Sequence, residues 1–84
     1  MKKVIIYSTR ICPYCVRAKN FFNKKNIDYT EIMIDQDPSL IKEMVEKSGR
    51  QSVPQIFIDD YHVGGFDDLI EHDMDGKLEE LLRD

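Results

Sequence analysis

The sequence predicts an α/β domain whose elements run βαβ, then α, then ββα, and three observations carry that prediction. An apolar run, Val4-Ile5-Ile6-Tyr7, gives way to apolar residues recurring at three-to-four spacing, so a strand leads into a helix. From Tyr29 to Ile34, Thr30, Ile32 and Ile34 alternate with Tyr29, Glu31 and Met33, the period of a second strand. Further on, Ile56-Phe57-Ile58 and Tyr61-His62-Val63 flank Asp59-Asp60, which reads as a hairpin with a tight acidic turn.

In order, the first strand is expected over Lys3 to Ser8 and the first helix over Pro13 to Lys25. Pro13 suits the opening turn, where its missing N–H loses no bond. Tyr14, Cys15, Ala18, Phe21 and Phe22 fall on one side of that helix. Asn26 is a residue that ends helices well, and Asp28 continues the break. Strand, helix and strand in succession imply a parallel pair joined by a right-handed crossover. Asp35-Gln36-Asp37-Pro38-Ser39 then turns into a second helix over Pro38 to Lys47, with Leu40, Ile41, Met44 and Val45 at helical spacing and Ser48-Gly49 as its stop. Pro54 cannot donate to a sheet ladder and belongs at the entrance of the third strand. Gly64-Gly65 breaks the backbone before a third helix over Asp67 to Asp73. After Asp75-Gly76, a closing segment carries Leu78, Leu81 and Leu82 on one side.

The chain has 84 residues, read as one domain over residues 1–84, and 42% of them are hydrophobic, enough for a small core. Phe21, Phe22, Ile56, Phe57 and Ile58 are the expected core residues, His62 a surface strand residue and His72 part of an acidic helix. The net charge of −4 without a basic run argues against nucleic acid. No apolar stretch reaches the length of a membrane span. Lys2 and Lys3 before Val4 to Tyr7 do not make a signal peptide, because the apolar segment is too short and no cleavage site follows. The expected location is the cytoplasm, where a disulfide is transient rather than structural.

Both cysteines of the protein lie in Ile11-Cys12-Pro13-Tyr14-Cys15-Val16, where strand gives way to helix. Unpaired N–H groups and the positive dipole end at a helix start favour a thiolate at Cys12, which is therefore the expected nucleophile. Arg10 and Arg17 add positive potential. Cys15, one turn further in, is more shielded and suits a resolving role. A structural disulfide is the alternative, yet so short a loop constrains the unfolded chain little. A zinc half-site is another, but two thiols need two further ligands, and His62 and His72 stand apart from each other and from the motif. The four methionines are scattered and suggest no metal site, and Glu79-Glu80 reads as a solvated face. A dithiol redox site is the preferred reading.

The element order with Cys12-Pro13-Tyr14-Cys15 after the first strand resembles the thioredoxin fold, with a central four-stranded mixed sheet flanked by helices. It is similar in particular to the glutaredoxins, most of all the small bacterial dithiol type. The resemblance spans essentially the whole chain and rests on that motif, Ser52-Val53-Pro54, Gly64-Gly65, and Asp67-Asp68. Thioredoxins carry a Trp beside the motif, and this chain has none. The resemblance implies a glutathione-dependent thiol–disulfide oxidoreductase with a redox-active Cys12–Cys15 disulfide, acting on glutathionylated proteins and on protein disulfides such as that of ribonucleotide reductase. It implies glutathione as co-substrate, no tightly bound cofactor, no metal, and a monomer.

By the same resemblance Pro54 is cis and turns the Val53 backbone toward the cysteine of glutathione. Arg10, Tyr14, Gly65, Phe66, Asp67 and Asp68 complete the implied glutathione site. The N–H groups of Phe66 and Asp67 would take the γ-glutamyl carboxylate, and Asp68 the ammonium. Asp67 also suits a plain helix cap. The chain departs from the family pattern in three places. Thr9, next to Arg10, stands where many glutaredoxins have Lys, and Ile41, next to Lys42, where a polar or basic residue is common. Phe66 replaces a frequent third cysteine. Missing cationic handles imply weaker glutathione binding rather than a different substrate. The rival reading from another functional class is a carrier of an iron–sulfur cluster ligated by protein cysteine and glutathione, which Pro13 should disfavour by crowding.

Overall fold

The computed structural model describes residues 2–83. Four strands, β1 (Val4–Ser8), β2 (Thr30–Met33), β3 (Gln55–Ile58) and β4 (Tyr61–Gly64), form one sheet in the order β2-β1-β3-β4. β1 runs parallel to β2 and antiparallel to β3, and β3 pairs antiparallel with β4. The helices are α1 (Pro13–Lys24), α2 (Pro38–Ser48), α3 (Phe66–Met74) and α4 (Lys77–Leu82).

The sheet has helices on both faces, which explains why β1 and β3 read as continuous apolar runs rather than alternating ones. Successive strand residues point to opposite faces. Val4, Ile6, Ile56 and Ile58 pack with Ala18 and Phe22 of α1, Leu69 of α3, and Leu78 and Leu82 of α4. Tyr7 and Phe57 pack with Met44 of α2 and with Ile34 on the other face. The closing leucines thus belong to a fourth helix sealing the α1 side. Each fully buried large side chain, such as Phe22 or Leu69, contributes about 1.5–3 kcal/mol through burial.

Local chemistry sets the boundaries. Asn26 has a left-handed φ of 58° and stops α1, and Gly49 at φ 71° does the same for α2. Asp37 starts α2 by accepting the Ser39 N–H at 2.9 Å. β2 ends earlier than its alternation suggests. Ile34–Gln36 wind into a short 3₁₀ turn, which tucks Ile34 under α2 instead of continuing the strand. One expected core position also differs. Phe21 is only half-buried, because Cys15, Ala18 and Phe22 form the inward stripe of α1, and Tyr14 on the same helix is 52% exposed.

Candidate active site

Cys12 is the N-cap of α1, and its extended backbone (φ −153°, ψ 103°) sends the chain from the sheet into the helix. Its Sγ takes the place of the usual capping oxygen and accepts the Cys15 N–H at 3.2 Å. That bond and the helix dipole both strengthen when the sulfur carries charge. The Cys12 side chain is partly accessible and lies 3.8 Å from the carbonyl oxygen of Val53. Cys15 is fully buried. Burial pushes its thiol up to about 12, Cys12 adds to the effect, and the Thr9 N–H and the Lys19 charge offset only part of it. The two sulfurs are therefore chemically unlike: one is reachable, the other is held as a neutral thiol directly behind it.

Lys19, one helical turn beyond Cys15, donates to Glu31 Oε2 at 2.8 Å, and buried Ser8 donates to the same oxygen at 2.6 Å. Burial alone would raise the Glu31 carboxyl, but these two bonds outweigh it and hold it below its ordinary range.

The loop before β3 passes beside Cys12, and the Val53–Pro54 peptide bond is cis. Together with the start of α3 it walls a groove of about 280 Å³ lined by Tyr14, Arg50, Ser52, Val53, Pro54 and residues 65–68. The Tyr14 and Phe66 rings face each other across it at 6.1 Å. At the α3 end, Asp68 Oδ2 accepts the Gly65 N–H at 2.9 Å and Arg50 Nη1 at 3.0 Å. The Gly65 N–H and the Arg50 guanidinium hold the Asp68 carboxyl below its usual range. A larger hollow of about 380 Å³, lined by Lys2, Lys3, Val4, Asp28, Tyr29 and Thr30, contains no thiol. It lies by the first residues of β1 and β2, at the opposite end of the sheet from Cys12.

The family model for glutaredoxins matches residues 4–63. The chain belongs to the glutaredoxin family. It is 48% identical to a glutaredoxin of Pseudomonas aeruginosa over 82 residues, covering 98% of each chain. It is 46% identical to glutaredoxin 3 of Escherichia coli over 83 residues, covering 99% of this chain and 100% of that one. Among solved structures, the buckwheat glutaredoxin–glutathione complex superposes with a TM-score of 0.88 at 31% identity, covering 96% of this chain and 76% of that one. The solution structure of the Brucella melitensis glutaredoxin gives 0.85 at 49% identity, covering 98% and 89%. As a glutaredoxin the chain is a thiol–disulfide oxidoreductase with the thioredoxin fold.

Of the residues singled out from the sequence, Tyr14, Val53, Pro54, Gly65, Phe66, Asp67 and Asp68 line the groove beside Cys12 and Cys15. Arg10 does not join them. Its backbone N–H and its side chain both engage Asp35, at 3.2 and 3.5 Å, and it points into solvent. Arg17 covers the Tyr14 ring at 5.1 Å. The α3 cap is made by Asp68, not Asp67, because only the third position of the helix reaches back to the Gly65 N–H. The conformational demand of the glycine pair falls on Gly64, with φ 116° and no room for a Cβ beside the Asp68 carboxylate. His62 is half-buried rather than a surface residue, stacked on Phe57 at 4.8 Å and bonded to Gln55. Arg50 carries no local signal in the sequence, because its partner Asp68 lies 18 residues away, beyond any local pattern. Among the described residues, no group of three or more His, Cys, Asp or Glu side chains is placed to hold a metal ion.

Proposed function

We propose that this glutaredoxin reduces glutathione mixed disulfides and protein disulfides, with Cys12 as nucleophile and Cys15 as resolving thiol. The observation that carries this reading is the asymmetry of the pair. Cys12 Sγ is partly accessible and accepts the Cys15 N–H, while Cys15 is buried with its thiol pushed up to about 12. The Cys12 thiolate attacks the glutathione sulfur of a protein mixed disulfide. The S–S bond breaks, the protein leaves as a thiolate that takes a proton, and Cys12 is left disulfide-bonded to glutathione. A second glutathione thiolate then attacks the glutathione sulfur and releases Cys12 with oxidised glutathione. In the other branch, Cys15 loses its proton and attacks Cys12 Sγ, forming the Cys12–Cys15 disulfide and expelling glutathione.

The groove supports glutathione as the ligand. The Val53 backbone precedes β3, lies beside Cys12 and lines the groove, and it suits the cysteinyl residue of glutathione. The first N–H groups of α3, on Phe66 and Asp67, have no partner within the helix and suit the γ-glutamyl carboxylate. Arg50 adds a cation at that end. Asp68 Oδ2 holds both internal bonds, which leaves Oδ1 for the ammonium. Thr9 and Ile41 supply no charge for the glycyl carboxylate, so the γ-glutamyl end carries more of the affinity. We place the enzyme in the cytoplasm as a monomer acting on glutathionylated proteins and on disulfides such as that of ribonucleotide reductase. No described helix is long and apolar enough to cross a membrane.

The test is glutathione-driven reduction of a small glutathione mixed disulfide by the wild type, Cys12→Ser and Cys15→Ser. Cys12→Ser should be inactive, and Cys15→Ser should keep substantial turnover because glutathione itself resolves the intermediate. Activity in Cys12→Ser, or none in the wild type, overturns the proposal.

A further inference from the structure

Gln55 is the one polar side chain of β3 and is fully buried between Pro54 and Ile56. Burying an amide is costly unless its groups are bonded, and here they are. Nε2 donates to the Ser52 carbonyl at 3.0 Å and to Ser52 Oγ at 3.3 Å, and Oε1 accepts from His62 Nε2 at 2.7 Å. Because the amide oxygen carries no hydrogen, His62 Nε2 must hold the proton of that bond. The His62 ring is in turn fixed by stacking on Phe57 at 4.8 Å and 28°. Flipping the Gln55 amide would set its NH₂ against the His62 N–H and its oxygen against the Ser52 carbonyl. The Ser52 carbonyl, which can only accept, sets the amide orientation, and His62 in its Nε2–H form completes the bonds that lock it there.

The Ser52 carbonyl and the Val53 N–H belong to one peptide unit, which is planar and, when trans, points its C=O and N–H in opposite directions. Drawing the Ser52 oxygen inward to buried Gln55 thus turns the Val53 N–H outward, toward the groove that Ser52 and Val53 line beside Cys12. We propose that Gln55, locked by His62, is a positioning residue that orients the Val53 N–H for pairing with the backbone of a bound peptide-like substrate. Its action is on substrate binding, and Cys12 reactivity is independent of it. The inference rests on the groove being the glutathione site.

The experiment measures KM and kcat for a glutathione mixed disulfide, and the rate of Cys12 alkylation by iodoacetamide, in the wild type, Gln55→Glu and His62→Phe. Saturable, Cys12-dependent turnover by the wild type is established first, and its absence would sink the functional reading rather than this one. Gln55→Glu keeps the shape and, assayed at a pH where its carboxyl is ionised, has no donor for the Ser52 carbonyl. It should raise KM about fivefold, the equivalent of one hydrogen bond to substrate. kcat and the alkylation rate should stay within about twofold, which a general loosening of the site would not produce. His62→Phe keeps the stacking, loses the lock, and should raise KM by about twofold to threefold on the same basis. If Gln55→Glu is folded and its KM is unchanged, or if alkylation slows in step with KM, the proposal fails. If Gln55→Glu does not fold, His62→Phe decides alone: a KM rise at constant kcat supports the proposal, and an unchanged KM overturns it.

Discussion

Removing the Asp68 carboxylate tests the α3 end of the site, because that group both caps the helix and walls the groove. In Asp68→Ala, the Gly65 N–H and Arg50 Nη1 lose their shared acceptor. Loss of a helix cap costs about 1 kcal/mol. The Arg50 pair is half in solvent, with side chains 48% and 37% exposed, so screening limits its share to about 0–1 kcal/mol. Together these predict a loss of roughly 1–2 kcal/mol, or about 5–15 °C in Tm for a domain of this size. The pH dependence follows from the sign of the shift. The folded carboxyl lies below its ordinary value of 3.8. Its contribution is therefore complete above that value and is lost as pH falls through the folded pKa. Thermal melts of wild type and variant should differ by a constant amount from pH 7 down to about 4 and converge below it. A difference that is the same at pH 7 and pH 2.5 would refute the assignment of the cost to an ionised carboxylate.

The remaining predictions concern the same site. Gly64→Ala forces a methyl against the Asp68 carboxylate at φ 116° and should cost roughly 2–4 kcal/mol in chemical denaturation; a loss below about 1 kcal/mol would mean that the turn relaxes freely. Arg50→Met should raise KM for a glutathione mixed disulfide by about twofold to fivefold, as expected for one partly exposed ion pair, with kcat unchanged. Cys15 should form no thiolate below about pH 10 in Cys12→Ser, followed by absorbance at 240 nm, because burial is the leading reason its thiol is pushed up to about 12. Early titration in that variant would show that the thiol is hydrated.

Most of the architecture was legible because its signals are local. The apolar run of β1, Pro13 at the first turn of α1, Asn26 and Gly49 as helix stops, and the Asp59-Asp60 turn each declare themselves within a few residues. The extra turn at Ile34 was not legible, since an isoleucine buried under α2 looks the same in a strand or in a 3₁₀ turn. The site divides in the same way. Cys12 and Cys15 are marked by spacing, and the groove residues from Val53 to Asp68 by short motifs. Arg50 and the Gln55–His62–Ser52 bonds depend on side chains meeting across the fold, and Arg10 is drawn off by Asp35, 25 residues away. Asp67 and Asp68 are alike in sequence; only the helix register assigns the cap to Asp68.

The mass of Cys15→Ser after exposure to oxidised glutathione decides whether Cys12 is the exchanging residue. A single glutathione adduct is expected, mapped by peptide analysis to Cys12 and removed by reduced glutathione with recovery of the free thiol. An unmodified protein, or an adduct that reduced glutathione cannot remove, would contradict Cys12 as the residue that exchanges with glutathione.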